Sequence, residues 1–171
     1  LTAGGHWHES RDEIELLDKL SIKHGNSTKF IIDLNQAYDL PKAIRFFKEM
    51  DRFNIDYIEQ PIEKNNLEDL LELSFHTNIP IALDESINSL QSINDALSIN
   101  CGDIFIIKPQ SMGSFSEIKK AVELVKNADK IPVITSSLEG LIGRLSAMHI
   151  ASANIITSNC GLLIEPIYKG E

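Results

Sequence analysis

Six short, nearly all-apolar runs, alternating with longer amphipathic stretches, constrain this chain more than any other feature. The runs are Phe30-Ile31-Ile32, Tyr57-Ile58, Ile79-Pro80-Ile81-Ala82-Leu83, Ile104-Phe105-Ile106-Ile107, Pro132-Val133-Ile134 and Leu162-Leu163-Ile164. Strands that lack polar alternation are buried on both faces, which is the situation of parallel strands covered by crossover helices. Helix-like periodicity predicts those helices over Arg11–Lys23, Pro41–Arg52, Leu67–His76, Leu90–Leu97, Phe115–Lys126 and Leu141–Ser152. Pro41 suits a first helical turn and Gly25 a helix stop. No linker, low-complexity tract or composition shift divides the chain, so one domain over residues 1–171 is expected.

Repeated βα units build open doubly wound sheets and solenoids as well as closed barrels. The placement of polar residues separates these. Each apolar run ends in a polar cluster: Asp33-Leu34-Asn35, Glu59-Gln60-Pro61, Asp84-Glu85-Ser86, Lys108-Pro109-Gln110, Thr135-Ser136-Ser137 and Glu165-Pro166. A β/α barrel gathers all such ends on one face, where barrels of this type carry their chemistry. The expected fold is therefore α/β, an incomplete TIM-type (β/α) barrel of parallel strands with about six of the eight βα units.

Composition narrows the partners. The chain is 43% hydrophobic and 24% charged with a net charge of −9, and it has no Lys/Arg-rich run. An electrostatic footprint for nucleic acid or an anionic membrane is thus missing, leaving a small molecule or a protein as partner. The two cysteines, Cys101 and Cys160, have neither disulfide-framework nor zinc-site spacing. With no apolar run long enough to span a bilayer and no leader-like opening segment, a cytoplasmic location is expected.

Four charged residues stand at regular intervals on successive strand ends. Asp33 to Glu59 is 26 positions, Glu59 to Asp84 is 25, and Asp84 to Lys108 is 24. Single positions of this kind are filled by turn and cap residues in many proteins, but capping alone does not call for acid-acid-acid-base order. Three carboxylates can supply oxygen ligands to a hard divalent cation such as Mg²⁺ and leave coordination positions for substrate and water. A lysine beside that site can act as a base once its pKa is lowered by the metal and by desolvation. Removing a proton α to a carboxylate creates an enolate dianion, whose developing charge a bound cation stabilises.

Asp33-x-Asn35-Gln36, Ile58-Glu59-Gln60-Pro61, Ala82-Leu83-Asp84-Glu85-Ser86 and Ile107-Lys108-Pro109 resemble the barrel motifs of the enolase superfamily, specifically its muconate-lactonizing subgroup. The resemblance implies that Asp33, Glu59 and Asp84 are Mg²⁺ ligands (Mn²⁺ being a possible substitute) and that Lys108 is the general acid/base. It makes Asn35 and Glu85 residues that orient a ligand or the lysine. It also implies a small carboxylate substrate. Lys108 to Ser114, followed by Ile134 to Gly140, looks like the o-succinylbenzoate synthases, which dehydrate a cyclohexadiene carboxylate; Gly113, Ser114, Ser136 and Ser137 would then face the substrate. Gln60 and Gly140-Leu141-Ile142-Gly143 also resemble muconate cycloisomerases. Dipeptide epimerases of the subgroup carry Asp-x-Asp at the last strand, where this chain has Leu163-Ile164-Glu165-Pro166.

Members of the superfamily also carry an N-terminal capping domain and a Lys-x-Lys motif ending the second strand, and neither is visible. Thr2-Ala3-Gly4-Gly5 looks like the loop following that lysine pair. The expectation is a barrel lacking its cap and first two strands, inactive or nearly so by itself, whose edges near Phe30–Asp33 and Leu162–Ile164 favour a homo-oligomer. A non-catalytic binding scaffold is the competing reading. Among smaller signals, His6-Trp7-His8-Glu9 reads as a surface segment rather than a metal cluster. Glu139 reads as a carboxylate opening a helix, favourable against its dipole. His24, His76 and His149 show no orienting partner in sequence.

Overall fold

In the computed structural model the described residues are 11–154 and 156–162. The chain divides into two compact units, Leu1–Ser86 and Ile87–Glu171.

The first unit holds α1 (Arg11–His24), β1 (Phe30–Asp33), α2 (Leu40–Met50), β2 (Ile55–Glu59), α3 (Leu67–Ser74) and β3 (Ile81–Leu83). A short 3-10 turn, Gly25–Ser27, follows α1, and Gly25 takes the left-handed conformation (φ 60°) that the helix stop requires. β1 pairs in parallel with β2, and β2 with β3. Two helices show why the sequence folds this way locally. The Asp39 carboxylate caps α2 by accepting the Lys42 amide at 3.0 Å, Pro41 sits in the first turn, and Ala43, Phe46, Phe47 and Met50 form the buried face at helical spacing. Asn66 caps α3 in the same manner, and Leu70 and Leu73 go inward. Tyr38 and Phe46 pack with ring centroids 5.4 Å apart, and α2 packs against α3.

The second unit holds α4 (Leu90–Ser98), β4 (Ile104–Ile107), α5 (Pro109–Met112), α6 (Phe115–Asn127), β5 (Ile131–Ile134) and α7 (Leu141–Ala153). β4 is buried along its whole length and pairs in parallel with β5, from Ile104 opposite Ile131 to Ile107 opposite Ile134. Reciprocal capping boxes start α4 (Ser89 with Ser92) and α6 (Ser114 with Glu117). α7 differs from the other helices: Ala147, Ile150 and Ala151 are buried, but Leu141, Ile142, Leu145 and Met148 are exposed, Ile142 at 82%.

Five strands stand among the described residues, against six apolar runs. The sixth run begins at Leu162 and continues outside the described residues; just before it, Gly161 forms a parallel bridge with Thr135. All six expected helices form, and the four-residue α5 is an addition. Neither Cys101 nor Cys160 is in a disulfide. No helix among the described residues is long and apolar enough to cross a membrane.

Candidate functional site

The C-terminal ends of β1, β2 and β3 bring Asp33, Glu59 and Asp84 to one rim of the first unit. Asp33 is the last residue of β1 and stands in register with Glu59, the last residue of β2. Glu59 is in turn in register with Ala82, and Asp84 lies an even step beyond Ala82. Alternation of side chains along a strand therefore assigns all three carboxylates to one face of the sheet, while Ile32, Ile58, Ile81 and Leu83 fill the other. Asp33 and Glu59 are half-buried and Asp84 is buried.

The backbone of this rim is unusual. Asn35, Gln36 and Gln60 all have positive φ (45°, 63° and 36°), a region that non-glycine residues rarely adopt and that collects at functional positions. Local hydrogen bonds hold the turns. The Asn35 amide donates to Asp33 Oδ1 at 3.0 Å, so Asn35 orients that carboxylate through its backbone while its side chain is exposed. The Lys64 amide donates to Gln36 Oε1 at 3.1 Å. Gln60, wholly buried, uses its side chain between β2 and the turn after β3. In the sequence Gln60 marks only a subgroup likeness, and its place between Glu59 and the Pro61-Ile62 pair gives no sign of its buried bonds. Glu85, half-buried, follows Asp84 in the same turn.

In the second unit, Lys108 follows β4 directly, is half-buried, and is the N-terminal flanking residue of α5, its carbonyl accepting from the Ser111 and Met112 amides. Gly113 has φ 88° and a Cβ there would stand 3.0 Å from Glu117 Oε2. Ser114 is the N-cap of α6: its hydroxyl accepts from the Glu117 amide at 3.2 Å, and its own amide donates to the Glu117 carboxylate. Gly113 and Ser114 thus build a helix start. Ser136 and Ser137 are half-buried after β5, and Ser136 donates from its amide and its hydroxyl to the Gly161 carbonyl.

Glu139 does not open α7 as a cap. The N-cap is Gly140, without a side-chain bond, and Glu139 lies buried one residue earlier with Oε2 lacking a hydrogen-bond partner. His76 also departs from expectation, since its Nε2 lies 3.1 Å from Glu72 Oε1, one helical turn away. A cavity of about 370 Å³ in the second unit is lined by Phe115, Lys119, His149, Ile150, Ala153 and Asn154, all from α6, α7 and the end of α7, with no strand-end residue. Leu163 to Pro166 and His6 to Glu9 lie outside the described residues.

The donor set of the first unit, three carboxylates on one rim with two in register, has the chemistry of a hard divalent cation site. Among the described residues, no three or more His, Cys, Asp or Glu side chains are gathered into a ready metal cage. Placement by the backbone and the donor type fit a divalent cation.

Comparison with known proteins identifies the family and the fold. Residues 2–165 match the family described as enolase C-terminal domain-like. The chain is 32% identical to the N-succinylamino acid racemase of Thermus thermophilus over 121 residues, 70% of this chain and 32% of the racemase. It is 29% identical to the o-succinylbenzoate synthase of Thermobifida fusca, covering 71% of this chain and 37% of the synthase. Other relatives are amino acid and dipeptide epimerases and chloromuconate cycloisomerases. The crystal structure of the dipeptide epimerase from Enterococcus faecalis V583, complexed with Mg and the dipeptide L-Leu-L-Tyr, superposes with a TM-score of 0.82 at 24% identity, over 88% of this chain and 43% of that one. At that identity the likeness shows the fold, a partial TIM-type α/β barrel. The chain spans about a third of the length of the curated relatives it matches first.

Proposed function

From the premise that this chain belongs to the enolase C-terminal domain-like family, within the muconate-lactonizing and epimerase subgroup, we propose that it is the barrel part of a Mg²⁺-dependent enzyme removing a proton α to a carboxylate. The observation that carries the proposal is the rim of Asp33, Glu59 and Asp84 at the ends of three neighbouring parallel strands, two of them in register. These three would hold Mg²⁺, or Mn²⁺ in its place, and the cation supplies charge stabilisation to the enolate when bound. Asn35 fixes the Asp33 carboxylate, and Glu85 is the residue beside Asp84 that orients its neighbours. Lys108 Nζ holds or receives the proton: the α C–H bond breaks, its electron pair passes into the carboxylate, and the lysine carries the proton to or from the carbon.

Dehydration of the o-succinylbenzoate synthase type is the first reading of the specific reaction, with a small carboxylate as substrate near Gly113, Ser114, Ser136 and Ser137. In that reaction the enolate expels a β-hydroxyl, which leaves as water on taking up one proton. Racemisation or epimerisation, in which the proton returns to the other face, is the second reading, favoured by the 32% identity to an N-succinylamino acid racemase. Cycloisomerisation of the muconate type shares the enolate: a carboxylate oxygen adds to the C=C bond, whose electron pair passes into the other carboxylate, and the lysine then delivers the proton to the α carbon.

The discriminating experiment incubates the protein with Mg²⁺ in D₂O, with an N-succinylamino acid in one sample and a cyclohexadiene carboxylate in another, and follows the α-proton by NMR. Exchange of the first without net reaction supports racemisation, and loss of water from the second supports the synthase reading. No change in either, together with no Mg²⁺-dependent stabilisation, overturns the enzyme reading in favour of a non-catalytic scaffold.

Self-association is part of the same proposal. The edge near Phe30–Asp33 of β1 remains the expected template for a second copy. The exposed apolar residues Leu141, Ile142, Leu145 and Met148 of α7, with His149 beside them and no Asp, Glu, Lys or exposed Arg in that helix, offer a second surface where like-charge repulsion is low. Sedimentation should show a dimer that Ile142→Glu dissociates; a monomer at high concentration overturns it.

A further inference from the structure

We infer that Gln60 is a positioning residue that fixes the separation of Glu59 and Asp84, so that the cation affinity of the rim is set by a side chain which is not a ligand. The inference rests on the metal-binding reading above and adds to it a residue that touches neither metal nor substrate.

Every hydrogen-bonding group of Gln60 is engaged, and the bonds reach five residues around the rim: Asp84, Ser86, Ile62, Ala82 and Gln36. Its side-chain Oε1 accepts from the Asp84 amide at 2.9 Å and from the Ser86 amide at 3.2 Å. Its Nε2 donates to the Ile62 carbonyl and to Ser86 Oγ, each at 2.9 Å. The backbone amide of Gln60 donates to the Ala82 carbonyl at 2.9 Å, and its carbonyl accepts from the Gln36 amide at 2.7 Å. Ser86 Oγ continues the chain by donating to the Lys64 carbonyl. The amide orientation follows from this pattern, because exchanging Oε1 with Nε2 would set two donors against two N–H groups and a carbonyl against a carbonyl.

Three physical points turn this network into a positioning device. The side chain is wholly buried, so water does not compete for its bonds. Asp84 lies one residue beyond β3, and the Gln60 side chain, reaching across from the end of β2, accepts its amide at 2.9 Å. Gln60 also sits at φ 36°, a strained backbone that persists only where the surroundings over-determine it. A neutral side chain is needed here. Glutamate would fit the same space, yet it would place an acceptor against the Ile62 carbonyl and a further negative charge beside three carboxylates.

The test uses Gln60→Met, which keeps volume and removes all four side-chain bonds, with Leu73→Ala in the buried face of α3 as a destabilised control outside the rim. Mn²⁺ binding is read by electron paramagnetic resonance. The expected result is at least a tenfold loss of Mn²⁺ affinity in Gln60→Met and none in Leu73→Ala. Equal affinity in Gln60→Met and the wild type, or equal loss in both variants, overturns the inference and leaves the metal reading standing. A wild type that binds no Mn²⁺ overturns the metal reading and the inference with it. Should Gln60→Met fail to fold, amide hydrogen exchange on the wild type decides: the Asp84 and Ser86 amides should be protected like those of Ile81–Leu83, and exchange as fast as an exposed loop overturns the positioning role.

Discussion

The strand ends of the two units put their polar residues to different uses. In the first unit they carry three carboxylates, three non-glycine residues at positive φ, and a buried glutamine bonded across two strands. In the second unit the segments after β4 and β5 run into helix starts: Lys108 flanks α5, Ser114 caps α6, and Gly140 opens α7. Polar residues at a strand-to-helix junction therefore say little by themselves. What sets the rim proposed as the metal site apart is a buried polar side chain bonded across two strand ends, with neighbouring residues in backbone conformations that local propensity would not choose.

The largest expected effect separates the two sets of strand ends. If the first unit's rim holds the cation, Mg²⁺ at a hundred times its dissociation constant stabilises the protein by about 2.7 kcal/mol, and Asp84→Ala removes that stabilisation altogether. Lys108→Met should leave it in place. Thermal melts with and without Mg²⁺ measure both, and a loss of the Mg²⁺ effect in Lys108→Met equal to that in Asp84→Ala breaks the distinction.

The next effect belongs to the second unit and is steric. A Cβ at Gly143 would come within 2.6 Å of Glu139 Cγ and 2.7 Å of its Cβ, so the buried glutamate and the first turn of α7 must separate. Gly143→Ala should cost about 1–3 kcal/mol by overpacking, read from the urea midpoint. An unchanged midpoint would mean that Glu139 leaves its buried position without penalty.

Legibility in the sequence followed the range of the interactions. Helices are readable nearly to the residue because their signals are local: Asp39 and Pro41 at the start of α2, and Ser114 with Glu117 at the start of α6, act within one turn. Strand limits are less so. Asp56 interrupts the apolar run, yet β2 starts at Ile55, and Pro80, which cannot donate to the ladder, delays β3 to Ile81. The three acids were found because repeat spacing places them on consecutive strand ends. Gln60 was not, because its partners Ile62, Asp84 and Ser86 are assigned to it only by the pairing of β2 with β3. The four-residue α5 is too short to show periodicity.

Two serine substitutions sharpen the contrast at smaller amplitude. Ser86 Oγ is buried, accepts from Gln60 and donates to the Lys64 carbonyl, so Ser86→Ala leaves buried polar groups unmatched and should cost about 1–3 kcal/mol. Ser114→Ala removes an exposed cap whose partners water can serve, and should cost about 1 kcal/mol. Equal costs would show that the first unit's network adds nothing over ordinary capping.

The smallest effect is expected where both partners face solvent. The Glu15 carboxyl is held below its ordinary value by the hydrogen bond and then the charge of Lys19, 2.8 Å away on α1, against a slight opposing effect of desolvation. A depressed folded-state pKa contributes stability above the unfolded value of 4.5, and that contribution disappears as pH falls through the lower folded value. Because the carboxylate is fully exposed, solvent and salt screen the pair. Glu15→Gln should therefore shift the urea midpoint at pH 7 by no more than the error of measurement, and any shift should shrink as the pH falls from 4.5 through the lowered folded value. A clear loss at pH 7 persisting in high salt would place a surface ion pair on the same footing as the buried Gln60 bonds. The distinction drawn between exposed local pairs and the buried rim would then no longer hold.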